Sequence, residues 1–291
     1  MAWDKKRIIL GLSIAAVLAS LLVLVPSGNP ASLVVLLAVC ALAMHEFYKL
    51  LKRGDMPVSY HFGIISGLIF TGATWFCCRQ QSPASMHILW ALMLLILLIN
   101  FCRILAYPDA KLAVRNALGT LFGFIYIAFF WSFFVRIFMM GESSAPAYGG
   151  FYLLLAVKWG DAGAYFAGCR FGKHKLVPRI SPKKSWEGLF GGMLFSCVVG
   201  LLWWYFSDAK LGGVYHFPLW HALILGVLIP IIGTAGDLVE SIFKRAVDAK
   251  DSGALAHGMG GMLDMIDSVL FAAPFVYLYI EFFLTKTVTL L

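Results

Sequence analysis

Charge is scarce in this sequence. Only 13% of its 291 residues are Asp, Glu, Lys or Arg, whereas 61% are hydrophobic and 24 are phenylalanine. So little charge cannot clothe a water-soluble surface, so a soluble globular domain and a disordered chain are both excluded. Acids are scarcer than bases, 15 against 23, leaving a formal net charge of +8. The bases must therefore concentrate where they meet anions or an anionic leaflet. Cysteine has no pattern: Cys40, Cys77, Cys78, Cys102, Cys169 and Cys197 lie in apolar stretches without metal-ligand spacing and read as small buried hydrophobes. Tandem repeats, low-complexity tails and a separate soluble domain are missing too.

Long apolar runs are present in their place, and they predict an all-α polytopic membrane protein. Nine spans are expected: Ile8 to Val25, Ala31 to Phe47, then about 59–77, 86–102, 117–138, 149–168, 186–206, 217–235 and 263–283. Pro108 to Asn116 reads either as a short interfacial helix or as a surface loop. Residues 1–145 read as a hydrophobic scaffold and 146–291 as the catalytic half of one continuous membrane domain. With the N-terminus inside, the cytoplasmic segments hold Lys5, Lys6, Arg7, Lys49, Lys52, Arg53, Arg103, Lys111, Arg115, the bases of 170–184, Lys244, Arg245 and Lys250. The other side holds only Arg79, Arg136, Lys210 and Lys286. That excess predicts a cytoplasmic N-terminus and puts the polar stretch from Gly236 to Asp267 on the cytoplasmic face.

That stretch carries Asp237, Glu240, Asp248, Asp251, Asp264 and Asp267 between two apolar segments. Ionisable groups there are costly unless paired or metal-bound. Asp237, Glu240, Ser241, Lys244 and Arg245 recur at helical spacing and share one face. A Glu240–Lys244 pair at a helix end is the simple reading, but Asp237 lies deeper, beside Gly233 and Gly236. Pro230 predicts a kink that frees carbonyls nearby. Gly258, Gly260 and Gly261 precede the last span, as a hinge or as a cradle of amides for an anion. Asp264 and Asp267 follow one turn apart; capping accounts for one of them, and two acids facing Asp237 suit a hard cation such as Mg²⁺.

Upstream, Arg170, Lys173, Lys175, Arg179, Lys183 and Lys184 meet no acid before Glu187. They suit several phosphates or anionic lipid; the loop is too short for nucleic acid. Asp161, one turn beyond Lys158, reads as an ion pair or as a support to the site. Acids for a divalent cation beside bases for phosphates describe phosphoryl or nucleotidyl transfer. The same acids suit a cation-coupled transporter, although no inverted repeat is found and they cluster at one edge.

Ser241, Lys244, Arg245, Lys250, Asp251, Gly253, Gly260, Gly261, Asp264 and Asp267, together with Asp161 to Tyr165 and Ser181 to Gly188, resemble the signature of the CDP-diacylglycerol synthase, or phosphatidate cytidylyltransferase, family. The ordered similarity covers about residues 150–274. The resemblance implies transfer of CMP from CTP to phosphatidic acid at a bacterial-type inner membrane, with release of pyrophosphate. It implies Asp237, Asp264, Lys244 and Arg245 as catalytic residues, and Asp237, Asp264 and Asp267 as ligands for Mg²⁺ and a second cation. Lys183, Lys184, Lys250, Asp251, Gly260 and Gly261 become the substrate-binding set, with membrane lipid and a second copy in a homodimer as partners and no nucleic acid.

Two departures stand out. The family's Pro-Gly-His-Gly-Gly is His257-Gly258-Met259-Gly260-Gly261 here, and its Asp-Arg-x-Asp is Asp264-Met265-Ile266-Asp267. An absent arginine leaves Asp264 and Asp267 with more mutual repulsion, so extra Mg²⁺ is expected to balance them, with Lys244, Arg245 or another nearby base as the alternative. A lipid-binding homologue with impaired catalysis is the reading that these departures support.

Overall fold

The computed structural model describes residues 25–80, 82, 84–141, 144, 147–207, 209–211, 215–249, 252–253 and 261–284. It shows an all-α polytopic membrane protein. Among the described residues, seven helices are long and apolar enough to cross a membrane: Pro30–Arg53, Tyr60–Gln80, Ala84–Ala106, Ala110–Phe138, Trp186–Phe206, Leu219–Ala246 and Met262–Leu284. The first expected span falls on residues outside the described ones, apart from Val25. The stretch expected at 149–168 forms a helix, Tyr148–Phe171, whose glycines, Lys158 and Asp161 dilute its apolar character, and it is not among the seven.

The chain divides into two compact units, one containing Gly28–Arg136 and Phe243–Met265, the other Ile137–Ile242 and the residues from Ile266 onward. In the first unit, α1 (Pro30–Arg53) starts where Asn29 Oδ1 accepts the Ala31 amide at 2.9 Å and Pro30 presets the first turn. It ends with Lys52 and Arg53 in its last turn, where positive charge complements the helix dipole. Leu36, Cys40, Met44, Phe47 and Tyr48 of α1 are buried. The unit also holds α2 (Tyr60–Gln80), α3 (Ala84–Cys102), α4 (Ala110–Gly123) and most of α5 (Phe130–Phe138); α2 and α4 pack on α1, and α3 packs on α2 and α4. Phe47 meets Tyr126 and Phe243 with ring centroids 5.2 and 5.4 Å away, and the Tyr48 hydroxyl donates to the Thr120 carbonyl at 2.9 Å. Outward-facing Ile88, Trp90, Leu94, Leu95 and Leu98 on α3 supply the apolar surface that a bilayer solvates.

One boundary differs from the sequence reading. Asp109 caps α4 through the amides of Lys111 (3.0 Å) and Leu112 (3.4 Å), so the helix begins at Ala110 and continues through a π-helical stretch, Phe124–Phe129, into α5. Residues 110–116 are therefore neither a surface loop nor a separate interfacial helix: the basic turn with Lys111 and Arg115 is the start of the span itself.

In the second unit, α6 (Tyr148–Phe171) and α7 (Trp186–Phe206) pack antiparallel with their backbones in contact. A Cβ on Gly163 would lie 2.7 Å from the Gly191 carbonyl oxygen, and one on Gly192 2.9 Å from that of Gly160, so only glycine permits this approach. Between these helices the basic segment, for which the sequence predicts only a loop, folds into a hairpin of β1 (Lys175–Val177) and β2 (Ser181–Ser185). Ser185 then caps α7, its Oγ accepting the Gly188 amide at 3.1 Å. The next long helix, α8 (Leu219–Ala246), runs on past Pro230, whose ring packs against Gly160. α9 (Met262–Tyr279) buries Val269, Leu270, Ala273 and Val276 and packs on α8, where a Cβ on Gly233 would lie 3.3 Å from Ser268 Cβ.

Candidate active site

Asp237 and Glu240 lie three residues apart on α8, hence on one face, and Asp267 joins them from α9. One oxygen from each of the three carboxyls lies within 4.8 Å of the others. Glu240 is fully buried, Asp267 is 5% exposed, and the two share a hydrogen bond, whereas the Asp237 side chain is 39% exposed. Carboxyls this close cannot all ionise without a proton, a lysine or a cation among them. Lys184 supplies one positive charge: its Nζ is 2.8 Å from Asp237 Oδ2 and donates to the Thr234 carbonyl at 3.2 Å. On β2 the two neighbouring lysines differ in exposure: Lys184 is partly buried against Asp237, whereas Lys183 is exposed. Ser241 Oγ donates to Asp237 Oδ1 at 3.3 Å. Lys158 and Asp161, paired at 3.7 Å, lie within electrostatic reach of Asp267.

The donor set of the trio is oxygen alone, and it is anionic. Hard divalent cations take such ligands at about 2.1 Å, which places oxygens around a common ion within roughly 4 Å of each other. The observed spacing needs only a small closure to reach that, so Asp237, Glu240 and Asp267 fit a hard cation.

Asp264 has a different environment in the first unit. Lys244 Nζ lies 2.8 Å from its Oδ1, with the two side chains 13% and 19% exposed. Oδ2 accepts the amide of Gly261 at 2.6 Å and that of Ser252 at 3.3 Å. The acceptance from Gly261, three residues earlier, is the backward reach of a helix-capping acid, so the capping expected for one of the two acids belongs to Asp264. A largely buried lysine–aspartate pair held by two amides is more than a surface cap requires.

The profile of the cytidylyltransferase family matches residues 5–283. The chain belongs to the cytidylyltransferase family. It is 38% identical over 199 residues to the phosphatidate cytidylyltransferase of Haemophilus influenzae, covering 67% of this chain and 66% of that protein. For the phosphatidate cytidylyltransferase of Bacillus subtilis the identity is 38% over 162 residues, 55% of this chain and 56% of the relative. For that of Staphylococcus haemolyticus it is 42% over 123 residues, 42% and 45%. The chain thus spans between 45% and 66% of the length of these curated relatives.

Within this member of the cytidylyltransferase family, the structure brings together Asp237 and Asp267 and places Lys184 beside Asp237 and Lys244 beside Asp264. Arg245 is exposed and Gly261 is buried. Lys250, Asp251 and Gly260, like Met259, lie outside the described residues. Sequence reasoning passed over Glu240 as a member of the acid trio, although its place on the same face as Asp237 was the signal. It also passed over Glu46, an acid inside the apolar run of α1 that no motif marks.

Proposed function

We propose that this chain transfers CMP from CTP to phosphatidic acid, yielding CDP-diacylglycerol and pyrophosphate. The observation that carries the reading is the trio Asp237, Glu240 and Asp267, an oxygen-only anionic cluster on bilayer-spanning helices with Lys184 against it. Such a cluster has little use in a hydrophobic scaffold, whereas phosphoryl chemistry depends on it.

In this proposal Asp237, Glu240 and Asp267 hold Mg²⁺, and Asp264 is a ligand for a second cation. Bound there, Mg²⁺ neutralises charge on the phosphate oxygens as they rearrange. Lys184, Lys183, Lys244, Arg245 and Lys250 bind the triphosphate and the lipid phosphate, and Asp251, Gly260 and Gly261 complete the substrate-binding set. A phosphate oxygen of phosphatidic acid attacks the α-phosphorus of CTP; the new P–O bond forms as the bond between the α-phosphorus and its bridging oxygen to the β-phosphate breaks, and pyrophosphate leaves with that electron pair. No proton transfer is required of the protein when the lipid phosphate is ionised, so its residues act by placement and charge. We place the site on the cytoplasmic face of a bacterial-type inner membrane, a reading supported by the excess of bases on that side, with residues 146–291 as the catalytic half, 1–145 as scaffold, and a homodimer as the assembly.

The test is the purified protein in lipid nanodiscs with phosphatidic acid, Mg²⁺ and labelled CTP, following CDP-diacylglycerol and pyrophosphate together. Stoichiometric appearance of both, abolished by EDTA and restored by Mg²⁺, is expected. Failure to bind CTP would overturn the reading and leave a lipid-binding or transport role.

A further inference from the structure

Glu46 lies within the apolar helix α1 and is 7% exposed. A carboxylate there is stable only with dedicated donors. It finds them more than two hundred residues along the chain: Oε2 accepts the Leu263 amide at 2.9 Å and the Ser252 hydroxyl at 3.3 Å. Two glycines leave room for it. A Cβ on Gly253 would meet three atoms of the Glu46 side chain, the nearest carbon at 2.6 Å, and one on Gly261 would overlap Oε2 and lie 2.7 Å from its Cδ. Neither glycine has a positive φ, so the close approach of Glu46 and not backbone conformation is what demands them.

Ser252 and Gly261 are the same residues whose amides Asp264 accepts. The Ser252 hydroxyl goes to Glu46 and its amide to Asp264; at the other end the Leu263 amide goes to Glu46 and the Gly261 amide to Asp264. Two carboxylates on different helices thus grip both ends of one segment, and the position of Asp264 depends on the grip of Glu46. We infer that Glu46 is a positioning residue for Asp264 and its partner Lys244, acting through Ser252, Gly253, Gly261 and Leu263 without touching substrate. The inference rests on the reading of Asp264 as part of the transferase machinery.

The test compares the full chain in nanodiscs with Glu46→Gln, Glu46→Ala, Gly253→Ala and the double variant Glu46→Ala/Gly253→Ala. Hydrogen exchange at the amides of Ser252, Gly261 and Leu263 should accelerate about tenfold or more in Glu46→Ala, while amides of α1 itself keep their protection. The Mg²⁺ concentration for half-maximal rate should shift about fivefold, a quantity that a smaller folded fraction cannot move, and Glu46→Gln, which keeps an acceptor oxygen, should recover most of it. Gly253→Ala should reproduce both effects in the parent and add nothing in Glu46→Ala, because the atoms its methyl would strike are gone. Unchanged exchange at Leu263 and unchanged Mg²⁺ dependence in Glu46→Ala, or additive effects in the double variant, would overturn the inference. Should the parent make no CDP-diacylglycerol, the transferase reading falls by itself, and exchange at Ser252 and Gly261, with the double variant, still decides whether Glu46 holds the segment.

Discussion

Lys184 Nζ stands 2.8 Å from Asp237 Oδ2, joining the hairpin before α7 to the acid trio on α8 and α9. A lysine that neutralises an acid in the absence of substrate can turn to phosphate when a cation takes over the carboxylate. Lys184 and Lys183 are therefore not equivalent, although they are neighbours in sequence. Lys184→Ala should lower the rate of CDP-diacylglycerol formation about a hundredfold, roughly 2.7 kcal/mol of transition-state stabilisation. Lys183→Ala, on the exposed face of β2, should cost less than about tenfold. Initial rates at saturating Mg²⁺ check this; equal losses would show that contact with Asp237 does not sort the two.

Glu240 is buried beside Asp267, and the proposal makes it a cation ligand. Glu240→Gln keeps the shape and removes one negative charge from the donor set. Mn²⁺ binding, followed by electron paramagnetic resonance without any turnover, should weaken about tenfold or more. Thermal stability in cation-free buffer should hold or rise, because repulsion among the three acids is relieved. Unaltered Mn²⁺ affinity would remove Glu240 from the ligand set.

Asp264 and Lys244 form a pair 2.8 Å apart whose members are both largely buried. Asp264→Asn retains an acceptor for the amides of Gly261 and Ser252 but leaves Lys244 charged and unbalanced. Turnover should fall by at least about a hundredfold with the fold preserved by circular dichroism. Lys244→Met should cost a similar amount. Because each variant breaks the same pair, the double variant should lose much less than the product of the two, and multiplicative losses would mean that the residues act separately.

Met265 stands where relatives with the Asp-Arg-x-Asp pattern have arginine. The sequence points to extra Mg²⁺ as the replacement for that charge, with a nearby base as the alternative; the position of Lys244 on Asp264 favours the base instead. Met265→Arg should accordingly leave the Mg²⁺ requirement for CDP-diacylglycerol formation unchanged or raise it. A lower requirement in a Mg²⁺ titration would show that the missing arginine was not compensated.

Close packing of α6 on α7 sets where the hairpin and Asp161 stand. A methyl at Gly163 would press on the Gly191 carbonyl and the Phe195 ring. Gly163→Ala should destabilise the protein by about 1–3 kcal/mol, read as a lower melting temperature in detergent, while Gly72→Ala, which meets only a distant Leu37 methyl, should be near neutral.

The sequence by itself determined the class of the protein and most of its helices. A bilayer leaves a chain this apolar few choices beyond helices, and local signals such as Asn29, Pro30, Asp109 and Ser185 act within a turn of where they occur. It also singled out Asp237, Asp264 and Asp267 as candidates, because ionisable residues among apolar ones stand out in any linear reading. Tertiary structure alone decided which charge meets which. Lys244 was a plausible helical partner for Glu240 and stands instead on Asp264; Glu240 turns to Asp267; Lys184 reaches Asp237 only because a hairpin points it inward. Glu46 is the extreme case, since its partners are 206 and 217 residues away and nothing local in α1 announces them. Spacing along a helix fixes which side chains share a face, but the pairing of buried charges is set by which helices the packing of small and large side chains brings together.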